Sequence, residues 1–293
     1  MAMMSPKDHI EDIRKRKFSI GGEPNSLRED LHQAVKNLSA ELYSKDVHFL
    51  MELIQNAEDN EYEEGVKPSL EFVITSKDIT ETGAKETLLV FNNEKGFSSN
   101  NVESICSVGL STKKGKRNSG YIGEKGIGFK NVFLFTARLY IFSNGYQIRF
   151  SEEPCEHCGI GFVVPEWVDG NPILARIDQI YGSSKKRPTT TMVLPLKTGK
   201  RTRVKQQLSS IHPELLLFLT KIREVSVREE NQDPKLNTVS AVSISSERDL
   251  VRKKNIDAES FLLMKRLLGA MDNAVTICGG KGSQLSKNAE LIG

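Results

Sequence analysis

The clearest amphipathic pattern in the chain lies in residues 47–60, VHFLMELIQNAEDN, and predicts a helix. At about 100° per residue, Glu52, Asn56 and Asp59 fall within an arc of about 60° on one side. The opposite side is a broad apolar face made of Val47, Leu50, Met51, Leu53, Ile54 and Ala57. The segment contains no Lys or Arg, so its polar side differs from an ordinary solvated helix face. The pattern predicts a helix with a buried back and a row of acidic and amide groups.

Glu52 and Asn56 lie one helical turn apart in this segment. A side-chain amide oxygen is a ligand for hard cations, and a carboxylate can polarise a water molecule. Two interpretations stay open on this helix alone. The first is a site for a cation and a water, and the second is an amphipathic helix with a polar outer face.

The remaining pattern up to residue 196 alternates between strands and helices. Strands are predicted at residues 70–75, 87–91, 138–143, 146–150, 161–168 and 190–196. Helices are predicted at residues 27–39, 98–109 and 127–136, and residues 7–17 form either a short charged helix or an arm. The helix at 27–39 has a possible capping box formed by Ser26 and Glu29. The apolar run at 87–91 is typical of a central strand, and Asn144-Gly145 between two alternating runs predicts a hairpin.

The regular pattern of predicted strands and helices becomes weaker after residue 196. One or two helices are predicted within residues 204–222, which include Pro213, and strands are predicted at 224–228 and 239–245. A further helix is predicted at 261–271, and the tail, TICGGKGSQLSKNAELIG, shows no packing pattern.

Composition narrows the class of protein. The chain has 293 residues, of which 38% are hydrophobic and 27% charged, and a formal net charge of +3. This is an ordinary composition for a soluble protein, and the charge is too small to indicate nucleic-acid binding. No apolar run approaches the ~18–20 residues that span a bilayer, and the N-terminal segment lacks the apolar core of a signal peptide. Four cysteines in a chain of this size favour a reducing, intracellular compartment, either nucleus or cytoplasm.

Candidate chemistry beyond the first helix lies in three further segments. They are LLVFNNEKGF at 88–97, GYIGEKGIGF at 120–129 and TTTMVLPL at 189–196. Gly123, Gly126 and Gly128 precede a predicted helix, where backbone N–H groups can approach phosphate oxygens. The spacing is not that of a P-loop, because GxxxxGK[ST] is missing. A glycine turn that serves only packing is the alternative.

The four segments, in this order, resemble the GHKL superfamily of ATPases, which includes DNA gyrase B, the ninety-kilodalton heat-shock chaperones, histidine kinases and MutL. ELIQNAED resembles their N-box, NNEKGF their first glycine motif, GEKGIGF their second, and TTTMVLPL their Thr-containing strand. The four motifs together with the residues around them resemble in particular the plant NO VEIN-type branch, which is related to the sacsin ATPase region. The resemblance covers about residues 8–250. It implies an α+β fold, a two-layer sandwich in which a mixed, mainly antiparallel sheet carries helices on one face (the Bergerat fold).

The resemblance also implies roles for individual residues. Glu52 matches the general base, Asn56 the magnesium ligand, and Asp59 a carboxylate at the nucleotide edge of the pocket. Thr190 or Thr191 matches the strand threonine that helps to hold adenine; the register between them stays open. The remaining nucleotide-binding residues are Asn92, Asn93, Gly96, Ser111, Thr112, Gly123, Lys125, Gly126, Gly128 and Phe129.

Residues 111–119, STKKGKRNS, correspond to the lid over the nucleotide in this family. Their basic side chains would close over phosphate charge, and an exposed basic loop or a localisation signal is the alternative. Lys125, within the second glycine motif, is either a phosphate contact or a solvated lysine.

The first glycine motif departs from the family pattern. The family has Asp where this chain has Asn92, or Asn93 in a neighbouring register, and only Gly96 remains of its glycines. An amide oxygen can still accept a hydrogen bond from the adenine amine. An amide can also donate, so the preference for ATP over GTP is open.

The segment CEHC, Cys155 to Cys158, is a weaker signal. A structural zinc site needs four ligands, usually from two such pairs. Only one pair is present in the sequence, which favours two thiols in a turn over a zinc site.

These features together predict a Mg-dependent ATP-binding protein that hydrolyses ATP slowly. The hydrolysis would drive lid closure or dimerisation, and the protein would be either a chaperone-like ATPase or a developmental regulatory ATPase. Its partners would be ATP and ADP, with a homodimer or a client protein as further options and no membrane or nucleic acid. The alternatives are a nucleotide-binding or scaffold module without turnover, and a histidine kinase with His9 or His32 as phospho-acceptor. The expected division is a polar arm at 1–26, the ATP-binding domain at 27–200 and a C-terminal extension at 201–293, which we expect to be the truncated start of a following region.

Overall fold

The structure is a computed structural model. It describes residues 4–22, 28–42, 49–107, 128–182, 186–211, 213–231, 233–246, 273–281 and 287–291. Within these ranges, no helix combines the length and apolarity needed to cross a membrane.

The helices and strands follow one another in an irregular order along the chain. The α-helices are α1 (Pro6–Phe18), α2 (Arg28–Leu42), α3 (Phe49–Glu58), α4 (Ser99–Ile105), α5 (Asn171–Tyr181) and α6 (Arg201–Ser209). Short 3-10 helices span Gly128–Leu134, Pro213–Phe218 and Pro234–Leu236. The strands are β1 (Ser69–Thr75), β2 (Thr87–Asn92), β3 (Arg138–Ser143), β4 (Tyr146–Ser151), β5 (Glu166–Trp167), β6 (Thr190–Pro195), β7 (Glu224–Glu230), β8 (Thr238–Ser246), β9 (Asn273–Lys281) and β10 (Lys287–Leu291).

All the strands of the described ranges join one mixed sheet. Their order is β10-β9-β8-β7-β1-β2-β6-β3-β4-β5. Strands β1 and β7 pair in parallel, and the other neighbours are antiparallel. This confirms the predicted α+β class with a mixed, mainly antiparallel sheet. The sheet also continues past residue 200, the predicted end of the ATP-binding domain, because β7 pairs along the whole of β1.

Most helices lie on one face of the sheet, which we call the α3 face. Alternate residues of each central strand point to it, as the pleat requires; examples are Phe72, Val90 and Leu194. Apolar side chains of α1, α2, α3, α4 and α6 pack against them in one core. The start of α3 is fixed by Phe49, whose ring stacks on Phe135 at 4.3 Å between centroids.

The opposite face carries α5, a helix that was not predicted from the sequence. Its three isoleucines, Ile173, Ile177 and Ile180, pack on a second core that includes Phe91 and Val193. The spacing of these isoleucines is helical, so the signal for α5 was present in the sequence. We call this side of the sheet the α5 face.

Several predicted elements are confirmed and others change. The Asn144-Gly145 hairpin is present, with positive φ at both residues. The helix predicted at 127–136 is a 3-10 helix at Gly128–Leu134, and the strand predicted at 161–168 is reduced to Glu166–Trp167. The tail without a packing pattern contains most of β9 and all of β10. The helix predicted at 261–271 lies outside the described residues.

Candidate functional site

Helix α3 places the three polar residues of the predicted site along one side. Its apolar residues, among them Leu53 and Ile54, are buried against the sheet. Glu52 and Asn56 are partly buried, whereas Asp59, just after the helix, is fully buried. The polar side of α3 is therefore not an ordinary solvated surface, because a surface helix leaves such side chains in water.

A row of polar side chains crosses the sheet on the α3 face. Asn92 at the end of β2 pairs with Thr190 at the start of β6, and Thr190 pairs with Ser143 at the end of β3. All three are buried. The hydroxyl oxygens of Thr190 and Ser143 are 2.6 Å apart and share a hydrogen bond.

Glu94 joins this row from the loop that follows β2. Only 5% of the residue is exposed, and its carboxylate accepts a hydrogen bond from the Thr190 hydroxyl at 2.8 Å. Glu94 was not predicted from the sequence, because a Glu in a polar loop resembles a solvent-exposed residue. Only the pairing of β2 with β6 shows that it lies beside Thr190.

Tyr62 connects this row to α3. Its hydroxyl donates to the carbonyl of Ala57 at 2.7 Å, the residue next to Asn56 in the helix. Burial raises the pKa of the Tyr62 phenol above its ordinary value. A hydrogen bond with the Asn92 side chain acts in the opposite direction, and the Glu94 carboxylate raises the pKa further. Tyr62 thus contacts both the end of α3 and the end of β2.

The structure separates Thr190 from Thr191 and Asn92 from Asn93. Thr191 points to the α5 face beside Phe91, and within the described ranges its buried hydroxyl has no hydrogen-bond partner. The Asn93 side chain accepts from the backbone N–H of Ser69 at 2.8 Å and donates to the carbonyl of Lys67. Of each pair, only Thr190 and Asn92 lie on the same sheet face as α3.

Gly96 holds the loop after β2 against the β3–β4 hairpin. Its φ is +97°, and a Cβ atom there would lie 2.7 Å from Asn144 Cβ and 2.8 Å from Thr189 Cγ2. The next residue, Phe97, donates its N–H to the Ser143 hydroxyl at 2.8 Å. The surviving glycine of the first motif therefore has a structural reason that is independent of any ligand.

Lys130 is a buried cation close to the second glycine motif in sequence. It is 3% exposed, and its ammonium donates to the carbonyls of Ser107 at 3.0 Å and Ile105 at 3.3 Å, at the end of α4. Cations are favoured at the C-terminus of a helix. Burial nevertheless lowers the pKa of Lys130 to about 8.

Glu58, the last residue of α3, anchors the helix to the chain before β7. Its carboxylate is buried and accepts from the backbone N–H groups of Thr220, Lys221 and Ile222 at 2.6 to 2.9 Å. The Thr220 hydroxyl donates to it as well. These bonds fix the end of α3 relative to β7.

Part of the predicted site lies outside the described residues. This holds for Ser111, Thr112, Gly123, Lys125 and Gly126, and for the predicted lid. Gly128 and Phe129 form the start of the first 3-10 helix. The structure therefore places Asn92 and Thr190 beside the newly found Glu94, and it places Tyr62 between Asn92 and the carbonyl of Ala57, which follows Asn56 in the chain.

The two histidines proposed as kinase phospho-acceptors are engaged in contacts within the domain. His9 Nδ1 lies 2.9 Å from the Tyr146 hydroxyl. His32 accepts the N–H of Gly161 and stacks on Phe162. The His9 ring thus joins α1 to β4, and the His32 ring joins α2 to the loop between β4 and β5.

Cys155 and Cys158 lie in a hydrogen-bonded turn. The carbonyl of Cys155 accepts from the N–H groups of Cys158 and Gly159. Among the described residues, no group of three or more metal-ligating side chains is present. The turn accounts for the spacing of the two thiols.

Comparison with known proteins points to one class. Residues 28–157 match the model of the family described as the Sacsin domain. This stretch contains α3, Tyr62, Asn92 and Glu94. Over 236 residues the chain is also 36% identical to Protein NO VEIN of Arabidopsis thaliana, an alignment that covers 75% of this chain. The chain spans 8% of the length of that curated relative. Both similarities support the sacsin-like and NO VEIN-like branch.

Proposed function

We propose that this chain binds ATP with Mg²⁺ and hydrolyses it slowly, and that the nucleotide drives a conformational cycle such as lid closure or dimerisation. The likeness to Protein NO VEIN and to the Sacsin domain supports a developmental regulatory setting for that cycle, and a chaperone-like setting is the alternative that the sequence predicts.

One observation supports this proposal above the others: Tyr62 joins the two halves of the predicted site. It contacts the carbonyl of Ala57 beside Asn56, and it hydrogen-bonds with Asn92 at the strand end. The helix predicted to carry the metal ligand and the general base therefore ends next to the strands predicted to hold the adenine.

The side chains on α3 fit a magnesium ion by their chemistry. Mg²⁺ prefers oxygen ligands and is usually held by one or two protein side chains together with phosphates and waters. Asn56 offers an amide oxygen, and Glu52 offers a carboxylate one turn before it on the same side of the helix. When bound, the ion would neutralise phosphate charge.

In this proposal each protein group has one task. Glu52 polarises the attacking water and accepts its proton. Asn56 holds the metal, and the partial burial of both side chains limits competition from solvent. Asn92, Glu94 and Thr190 line the end that receives the base.

The test combines calorimetry with a turnover assay on the full chain. We expect wild type to bind ATP in magnesium. Asn56→Ala should weaken this binding in magnesium but change it little in EDTA, because only the metal-dependent part is lost. Equal losses in both conditions would contradict the assignment of Asn56.

Glu52→Ala should keep ATP affinity within a few-fold and lower turnover by about 10²–10⁴, the usual contribution of a positioned base. The exposed carboxylate of Glu61 provides a matched control, Glu61→Gln, which should leave both quantities unchanged. Binding without measurable turnover in wild type would instead favour the alternative function, a nucleotide-binding or scaffold module. No binding of ATP, with or without magnesium, would overturn the proposal.

A further inference from the structure

Glu94 has no separate task in the proposed function beyond lining the end that receives the base, yet it is a buried carboxylate in the row of polar side chains. Its carboxylate accepts from the Thr190 hydroxyl at 2.8 Å. Thr190 in turn shares a hydrogen bond with Ser143 at 2.6 Å. Burying a carboxylate costs free energy unless hydrogen bonds or charges compensate, so a solvent-exposed loop would be the default place for this residue.

Asn92, the residue expected to read the base, is already committed to local contacts. Its side-chain oxygen accepts the backbone N–H of Glu94 at 3.0 Å, and its side chain hydrogen-bonds with Tyr62. These bonds fix the amide plane and orient the backbone of Glu94. Asn92 therefore acts as a support for the residue two positions further along the chain.

We infer that Glu94, rather than Asn92, reads the nucleotide base, by accepting a hydrogen bond from the exocyclic amine of adenine. This inference rests on the proposed function and names its specificity-determining residue. An ionised carboxylate can only accept, so it favours a 6-amino group and repels a 6-oxo group. A carboxamide can donate or accept and therefore discriminates less.

The hydroxyls of Thr190 and Ser143 complete this arrangement. Each hydroxyl both donates and accepts, and together they link Glu94 to the N–H of Phe97 through Ser143. The Glu94 carboxylate is thus oriented by groups on two strands, β3 and β6. A buried polar group that is held in one orientation is selective, because its side chain cannot rotate to form a hydrogen bond with the wrong ligand.

The test compares ATP with inosine triphosphate, which carries oxygen in place of the 6-amino group. Dissociation constants for both are measured by calorimetry in magnesium on the full chain and on Glu94→Gln. Wild type should prefer ATP, and Glu94→Gln should reduce the ratio of the two constants by roughly 5- to 100-fold, the range for one mismatched buried hydrogen bond. A Gln oxygen can still accept from Thr190, so the fold should be kept, as thermal unfolding will show.

Two further variants make the result specific. Glu61→Gln removes an equal charge from an exposed position nearby and should leave the ratio unchanged. Asn92→Asp should change the ratio less than Glu94→Gln does. If Glu94→Gln fails to fold, Thr190→Val removes the hydroxyl that orients the carboxylate and should lower the ratio by itself.

The possible failures are distinguishable. An unchanged ratio in Glu94→Gln, together with a shifted ratio in Asn92→Asp, would overturn the inference and leave the proposed function intact. If wild type binds neither nucleotide, the proposed function fails and the inference fails with it.

Discussion

Lys130 shows, at the scale of a single residue, how burial and charge act against each other. Its ammonium is 3% exposed and is held by two carbonyls at the end of α4. Burial lowers its pKa from 10.5 to about 8. Below pH 8 the group is charged in both the folded and the unfolded chain, and the full cost of burying the charge is present. Between pH 8 and 10.5 the unfolded chain still binds a proton that the folded chain has released, so stability rises with pH in this window.

Lys130→Met should therefore remove a rise in stability that wild type shows. Between pH 8 and 10.5, the free energy of unfolding of wild type should increase relative to the variant by up to about 3 kcal/mol. The measurement is urea denaturation of both proteins across this range. Burial raises the pKa of the Cys106 thiol to about 12, and the Lys130 charge acts on the same thiol, so both proteins are compared in a Cys106→Ala background. Parallel curves for the two proteins would contradict the assignment.

At the scale of elements, the sequence predicted the helices and turns that are determined by residues close together in the chain. The periodicity of α3 and the Asn-Gly pair at residues 144–145 determine their structures through neighbours in the chain, and both are confirmed. The first 3-10 helix was predicted as an α-helix, because helical periodicity over a few residues does not distinguish the two. The place of Glu94 could not be predicted, since it depends on the pairing of β2 with β6, two strands that are distant in the sequence.

The packing of the loop after β2 against the β3–β4 hairpin can be tested at Gly96. Gly96→Ala should destabilise the domain by about 2–4 kcal/mol, because the new Cβ would clash with Asn144 and Thr189 and φ is positive. Gly83→Ala is a matched control: its φ is +76°, and nothing lies within 4 Å of the added atom. It should cost only about 1–2 kcal/mol. Both values come from chemical denaturation, and equal losses would show that the loop packs less tightly than described.

At the scale of the whole molecule, the sheet continues across the domain boundary that was predicted at residue 200. Strand β7 pairs in parallel with β1 over its full length, and Val225 belongs to the core on the α3 face. Glu58 takes its hydrogen bonds from the segment just before β7. The candidate site therefore depends on residues that the sequence assigns to a separate extension.

A chain that ends at residue 200 should accordingly be much less stable than one that ends at residue 246. The shorter chain loses the partner strand of β1 and leaves the Glu58 carboxylate buried without its donors, a loss of several kcal/mol. Thermal unfolding and the soluble fraction after expression report the difference. The same melting temperature for both chains would instead support the boundary at 200.

The anchor at Glu58 also has a consequence for how fast the domain opens. The residues that it joins are 162 to 164 positions apart, and contacts of such long range form late in folding, after the loop between them has closed. A bond absent from the transition state slows unfolding without speeding folding.

Glu58→Ala should then raise the unfolding rate in stopped-flow experiments and leave the refolding rate nearly unchanged. A slowed refolding phase would instead show that the contact forms in the folding nucleus. The lifetime of the native state, more than its rate of formation, is thus controlled by a carboxylate two residues after Asn56. A ligand that holds α3 in place would lengthen that lifetime.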